Sequence, residues 1–175
     1  YCSGVISRCQ VNTGGDSKIC SVCRVNSLSQ EKKLKHPNIE VVRLSKRGNN
    51  NDQDLEEMLN KVGSVQELKA LYYKGVAVGY GILSFYISLT REHEPNFDRN
   101  FKSYLKSLLE LSIRLVDAAD HLISKYDPSR VELFNGRQFQ TRPFLDLSRK
   151  YGLDFVCNEL KFDYENLEWK IVKFE

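Results

Sequence analysis

The sequence predicts an α/β layered domain, and three stretches carry that prediction. Residues 131–157 read as strand, polar turn, helix and strand: Val131-Glu132-Leu133-Phe134, then Asn135-Gly136-Arg137, a helix from Thr141 to Tyr151, and Leu153-Asp154-Phe155-Val156-Cys157. A helix as crossover makes the two strands parallel, with a right-handed connection. Upstream, Phe101, Leu105, Leu108, Ser112, Leu115, Ala119 and Leu122 recur at spacings of four and three, which predicts a long amphipathic helix over 97–126. Its apolar stripe is expected to lie on the sheet. Finally, Ile39-Glu40-Val41-Val42-Arg43-Leu44 reads as another strand, so that strands and helices alternate.

The remaining elements follow from local chemistry. Residues 3–7 suit a strand that runs into a loop at Asn12-Thr13-Gly14-Gly15-Asp16. A polar, Lys-rich helix is expected over 21–35, stopped near His36-Pro37 because the residue before proline is pushed out of the helical region. Residues 45–52 have no apolar anchor and read as an exposed connection. A helix over 53–61 comes next. Ser64-x-x-Glu67 then forms a capping box, opening a helix with Leu68, Leu71 and Tyr72 on one side.

The longest uncharged run, Gly75 to Thr90, is too short for the roughly 20 apolar residues that span a bilayer, so it reads as a buried helix. Its Gly79-x-Gly81 invites a dinucleotide reading, which fails: a capped helix runs into it and no acidic residue follows on a second strand. Gly75 and Gly79 are instead expected on a helix face close to a neighbour, with the helix start near Gly75 able to touch substrate. Gly152 sits where a helix C-terminal glycine belongs. Alternation at Leu167, Trp169, Ile171 and Val172-Phe174 marks a last strand.

At 175 residues the chain suits one domain with three segments, a basic cysteine-containing 1–50, a helical 53–126 and a strand-helix-strand unit at 130–159. A 41% apolar share with 28% charged residues supports a core and excludes general disorder. The net charge of +3 is uneven: residues 1–50 hold nine Lys and Arg against three Asp and Glu, giving +6 and leaving −3 for the rest. Such an end can meet phosphates or anionic lipid heads, or simply be a solvated surface. No signal peptide is visible at Tyr1-Cys2-Ser3.

In an open α/β sheet, ligands sit outside the carboxyl ends of the strands, which is where the Asn135-Gly136-Arg137 turn falls. Asn and Gly let backbone approach a ligand, and Arg137 offers a planar fork for phosphate or carboxylate. The alternatives are an anion or sugar site and an ordinary turn with a surface cation. Arg142, in the first turn of the next helix, opposes the helix dipole and must have another partner, while Thr141 is expected to cap that helix. Glu159, after the second strand, points at the same crevice as a general base or a ligand of sugar hydroxyls.

Cys2, Cys9, Cys20 and Cys23 can surround one structural zinc, since thiolates are soft ligands and Cys20-x-x-Cys23 has ligand spacing. Isolated thiols and redox or iron–sulfur use remain open alternatives. The three histidines have no mutual spacing for a metal or a triad.

Tyr73-Lys74-Gly75-x-x-x-Gly79 with Ser84, the long helix, Phe134-Asn135-Gly136-Arg137 with Arg142 and Gly152, and Glu159 together resemble bacterial capsule and lipopolysaccharide biosynthesis proteins of the GT-B glycosyltransferase type. The Cys2 to Cys23 stretch resembles the early part of their N-terminal domains. The resemblance implies a Rossmann-like parallel sheet flanked by helices, the N-terminal half of a GT-B fold lacking its first strand. It also implies a second Rossmann-like domain C-terminal to this chain, facing it across a cleft and binding the nucleotide sugar. This half would bind mainly the glycan acceptor. Glu159 is then the base, Arg137 or Arg142 contacts phosphate or glycan, and Asn135, Gly136, Gly75 and Gly79 line the cleft. Transfer would need no cofactor, and this part alone would turn over little. A cytoplasmic location, at the inner face of the membrane by peripheral association, goes with that reading, and no nucleic acid is expected as partner. Two rivals stand beside it: a zinc-containing module for nucleic acid or protein, whose basic stretch is poor in aromatics for base stacking, and a GT-B-like sugar-nucleotide epimerase.

Overall fold

The structure, a computed structural model, describes residues 9, 12–34, 36–42, 52–163 and 168–174. The expected strand at 3–7 lies outside them, as do Arg43 and Leu44. The chain falls into two compact units, Tyr1–Arg47 and Gly48–Glu175, where the sequence suggested one domain with a basic N-terminal segment.

In the first unit, Cys9 and Asn12 pair in a tight turn, and helix α1 spans Ser17–Lys33. It starts four residues before the expected residue 21 because Asp16 caps it, its carboxylate accepting from the Lys18 N–H at 2.8 Å. Asn12, almost fully buried, fixes that start by donating to the Asp16 carbonyl at 2.7 Å and accepting from the Asp16 N–H at 2.9 Å. None of the helix's residues is buried. Ile39 to Val42 form no strand: β-branched residues favour an extended chain but need a partner strand, and none pairs with them among the described residues.

The second unit contains α2 (Asp52–Asn60), α3 (Val65–Lys69), α4 (Val78–Thr90), α5 (Arg99–Tyr126), β1 (Arg130–Phe134), α6 (Arg142–Tyr151), β2 (Asp154–Asp163) and β3 (Glu168–Phe174). It is an α/β arrangement with a small mixed sheet of order β1-β2-β3. β1 and β2 are parallel, in register from Arg130 opposite Asp154 to Phe134 opposite Asn158. β2 and β3 are antiparallel, with Leu160 opposite Ile171. The wholly parallel sheet is therefore not what forms. Continued pairing with β3 also carries β2 six residues past Cys157, where the sequence placed its end.

Ser64 accepts from the Glu67 N–H at 3.2 Å to start α3, but the Glu67 carboxylate reaches Gly63 N–H at 2.9 Å and the Ser64 hydroxyl at 3.0 Å. Chiefly the Gly63 N–H, then that hydroxyl, hold the Glu67 carboxyl below its ordinary range. The helix stops at Lys69, so Leu71 and Tyr72 do not share its face; Leu71 is buried and Tyr72 exposed. Tyr73 and Val76 then exchange two backbone hydrogen bonds around Lys74 and Gly75, whose φ values of 50° and 87° make a primed two-residue turn.

Asp98 caps α5 by accepting from the Phe101 N–H at 2.8 Å, and Pro128 follows its left-handed end at Asp127. Its apolar stripe meets α2, α4 and α6 rather than the sheet, and α6 is the helix that lies on β1 and β2 among the described residues. The stripe's periodicity says that a face is buried; it does not say against what. Phe85, Phe139, Leu68, Ile82, Leu105, Leu108, Leu109 and Leu147 fill the helical core, with the Phe85 and Phe139 rings edge to face at 5.0 Å. Leu133, Leu145 and Cys157 form the layer between α6 and the sheet. On the other sheet face Phe134, Leu160 and Ile171 are exposed.

Tyr86 of α4 packs edge-on against Phe101 at 5.0 Å and donates its hydroxyl to the Glu92 carboxylate. Desolvation, then that bond, pushes its pKa up to about 12. A folded-state pKa above the unfolded value favours folding below about pH 10, and the contribution is lost as pH rises through about 12. Urea midpoints should therefore fall more steeply between pH 10 and 12 in the native chain than in Tyr86→Phe; equal slopes would remove the assignment.

Candidate functional site

The parallel ladder of β1 and β2 ends when the Asn135 N–H donates to the Asn158 carbonyl at 3.0 Å. There the chain turns away. Asn135 takes φ +52°, a left-handed conformation that Asn tolerates better than most residues. Its Oδ1 accepts from the Arg137 N–H at 3.2 Å and from Arg137 Nε at 3.3 Å, so one side chain both closes the turn and aims the guanidinium. Gly136 is buried beneath. A Cβ there would come within 2.7 Å of Leu145 Cδ2 and 3.1 Å of Leu133 Cδ1, so those side-chain ends would have to shift; packing, not a positive φ, favours glycine. Its N–H donates to Cys157 Sγ at 3.1 Å, satisfying a buried donor that has no strand partner.

Arg137 reaches across to Glu159, Nη2 to Oε2 at 3.4 Å, with the two side chains 59% and 28% exposed. The two residues are 22 apart in sequence. What joins them is register: β1 ends opposite Asn158, so the residue after the turn meets the next position on β2. The expectation that both side chains share one patch at the carboxyl end of the parallel pair is met, with Asn135 as the organiser.

The other expected site residues are elsewhere or otherwise engaged. Thr141 occupies the N-cap position without capping; its hydroxyl donates to the Asn135 carbonyl and ties the turn to α6. Arg142 has the partner that its position demanded: Nε donates to Asp146 Oδ2 at 2.7 Å, with side chains only 19% and 10% exposed. Its guanidinium also lies 4.9 Å from the Tyr80 ring centre. The same Asp146 oxygen accepts from the Ala77 N–H at 3.0 Å, where α4 begins without a side-chain cap of its own. Arg142 is thus a brace between α6 and the start of α4.

Gly75 is not on a helix face. It sits in the turn before α4, where an added Cβ would lie 3.9 Å from Lys150 Cδ. Lys150 is at the far end of α6 from the Asn-Gly-Arg turn, about 12 Å along the helix axis from Arg142. Around it, the Lys74 ammonium pairs with Asp117 at 2.7 Å, a bond that chiefly raises its pKa, and Tyr73 donates to the same carboxylate at 3.2 Å. Gly79 is buried against α3 and offers nothing to a ligand.

Of the four cysteines, Cys2 lies outside the described residues. Cys9, Cys20 and Cys23 are partly buried free thiols, and Cys20 Sγ accepts from the Asn12 amide at 3.1 Å. Among the described residues no three His, Cys, Asp or Glu side chains converge as metal ligands.

Comparison of the chain with protein-family models, curated proteins and solved structures returns no match. Among the described residues no helix is long and apolar enough to cross a membrane. The site therefore stands on its own geometry. Sequence reasoning missed Asp146, Tyr80 and Cys157. The spacing Arg142-x-x-x-Asp146 was a usable signal for the first; the other two are contacts between distant segments.

Proposed function

We propose that this chain is the acceptor-binding part of a glycosyltransferase that moves a sugar from a nucleotide donor to a polysaccharide or lipid-linked glycan of the capsule or lipopolysaccharide kind. A second, nucleotide-binding Rossmann-like domain would lie C-terminal to it. The observation that carries the reading is the meeting of the Arg137 guanidinium and the Glu159 carboxylate at the open end of a parallel strand pair. The motif resemblance around Asn135-Gly136-Arg137 supports it. The mixed sheet departs from a Rossmann sheet at β3, while the β1–α6–β2 unit agrees with one.

In the transfer step the acceptor hydroxyl gives its proton to Glu159 as its oxygen bonds to the sugar carbon. The bond from that carbon to the nucleoside diphosphate breaks, and the electron pair leaves with the diphosphate. Arg137, paired with Glu159 through Nη2, holds the acceptor through its remaining N–H groups. Arg142, spent on Asp146, has a supporting role only.

With the donor-binding domain present, Glu159→Gln should lower kcat by a factor of about 10² to 10⁴, the usual range for a lost general base. Arg137→Ala should raise the acceptor KM about tenfold, the loss of one charge-assisted hydrogen bond. Transfer unchanged in both variants would end the proposal.

A further inference from the structure

The charge balance of the patch defines its ligand further, given the acceptor-binding reading above. Arg137 supplies one positive charge and Glu159, at 3.4 Å, one negative charge. The next cation along the turn, Arg142, is neutralised by Asp146 at 2.7 Å. An anion arriving at Arg137 would therefore meet an equal and adjacent repulsion from Glu159. A built phosphate site has the opposite character, with several donors and no carboxylate.

The hydrogen-bonding inventory agrees. Of the five guanidinium N–H groups, Nε is committed to Asn135 Oδ1 and Nη2 reaches Glu159 Oε2. Among the described residues no hydrogen bond is made by Arg137 Nη1, Glu159 Oε1 or the Asn135 amide nitrogen. Two donor groups and an acceptor are thus left at the end of the parallel strand pair. A hydroxyl both donates and accepts, so two neighbouring hydroxyls satisfy this set, one accepting from Arg137 and one donating to Glu159.

We infer that the Arg137–Glu159 patch recognises an uncharged pair of adjacent hydroxyls, as on a neutral sugar residue, and disfavours phosphate and uronate carboxylate. Asn135 acts as a positioning residue that holds Arg137 Nε and so keeps the guanidinium beside the carboxylate.

The test uses the ¹⁵N-labelled chain without any donor and follows the Arg137 Nε–Hε resonance, assigned by its loss in Arg137→Lys. Methyl glycosides of glucose, galactose, mannose and N-acetylglucosamine are titrated in parallel with glucuronate and inorganic phosphate, at low and physiological salt. The expected result is that at least one neutral glycoside shifts the resonance with a Kd almost indifferent to salt. Glu159→Gln should weaken that binding about tenfold, because a charge-assisted bond becomes a neutral one. In Glu159→Gln phosphate and glucuronate should bind more tightly, since their repulsion is gone. Tighter binding of either anion than of every neutral glycoside in the native chain would overturn the inference, and so would a resonance that no probe moves. The transferase reading would fall separately, on unchanged transfer in the Arg137 and Glu159 variants.

Discussion

Asp146→Asn should destabilise the second unit by about 3 kcal/mol, the lower end of the cost of breaking a buried ion pair from one side. Asparagine keeps the shape and an oxygen for the Ala77 N–H, so the loss isolates the charge. Arg142, with a side chain only 19% exposed, would keep its guanidinium beside the Tyr80 ring without a counter-ion. For a domain of this size the midpoint of thermal unfolding should fall by about 10 °C. Replacing both partners, Arg142→Met with Asp146→Leu, should recover much of the loss, because the desolvation cost of the charges disappears with them. Far-ultraviolet circular dichroism against urea compares the native chain, Asp146→Asn and the double variant. Equal stability of Asp146→Asn and the native chain would mean that the pair is solvated, and would reopen Arg142 as a ligand contact.

The sequence was most legible where one short segment carries its own instructions. Between Arg130 and Cys157 the β-branched and aromatic strand residues, the Asn-Gly turn and the Gly152 cap, at φ +67°, each specify their element without help from a distant segment. The Arg137 to Glu159 meeting was legible for the same reason: a parallel pair joined by a short helix leaves little freedom of register. Helix α5 was equally plain from apolar residues recurring at spacings of four and three along its 28 residues.

What failed depended on partners. The direction of β3 is set by pairing with β2 at Leu160 and Ile171, and an alternating strand carries no mark of parallel or antiparallel company. Ile39 to Val42 show the converse, strand-forming residues left without a strand because nothing pairs with them among the described residues. At the site, Arg142 was correctly read as needing a partner, but the partner was sought in a ligand when Asp146 stood one helical turn away. The contact of Asp146 with Ala77 joins residues 69 apart and left no trace in either segment.

Gly79→Ala should cost at least about 3 kcal/mol, although alanine in a helix is worth nearly 1 kcal/mol over glycine. The reason is the nature of the obstacle. An added Cβ would stand 1.7 Å from the Leu68 carbonyl oxygen, 2.8 Å from its carbon and 2.9 Å from Leu71 Cβ. Two of those atoms are backbone at the end of α3, so no rotamer change relieves the clash and the two helices must separate. Separation also stretches the Gly79 N–H bond to the Leu71 carbonyl, now 3.1 Å, and draws Ala77 from Asp146. The effect should therefore be non-additive with Asp146→Asn, since both variants loosen the start of α4. Gly81→Ala, whose Cβ would meet Phe139 backbone at 3.0 and 3.2 Å, should cost less, and Gly63→Ala, with nothing nearer than 3.5 Å, close to nothing. Urea midpoints in the order Gly63→Ala, Gly81→Ala, Gly79→Ala, from highest to lowest, would establish that these glycines set helix spacing. A Gly79→Ala midpoint equal to that of Gly63→Ala would mean that α3 and α4 do not approach so closely in solution.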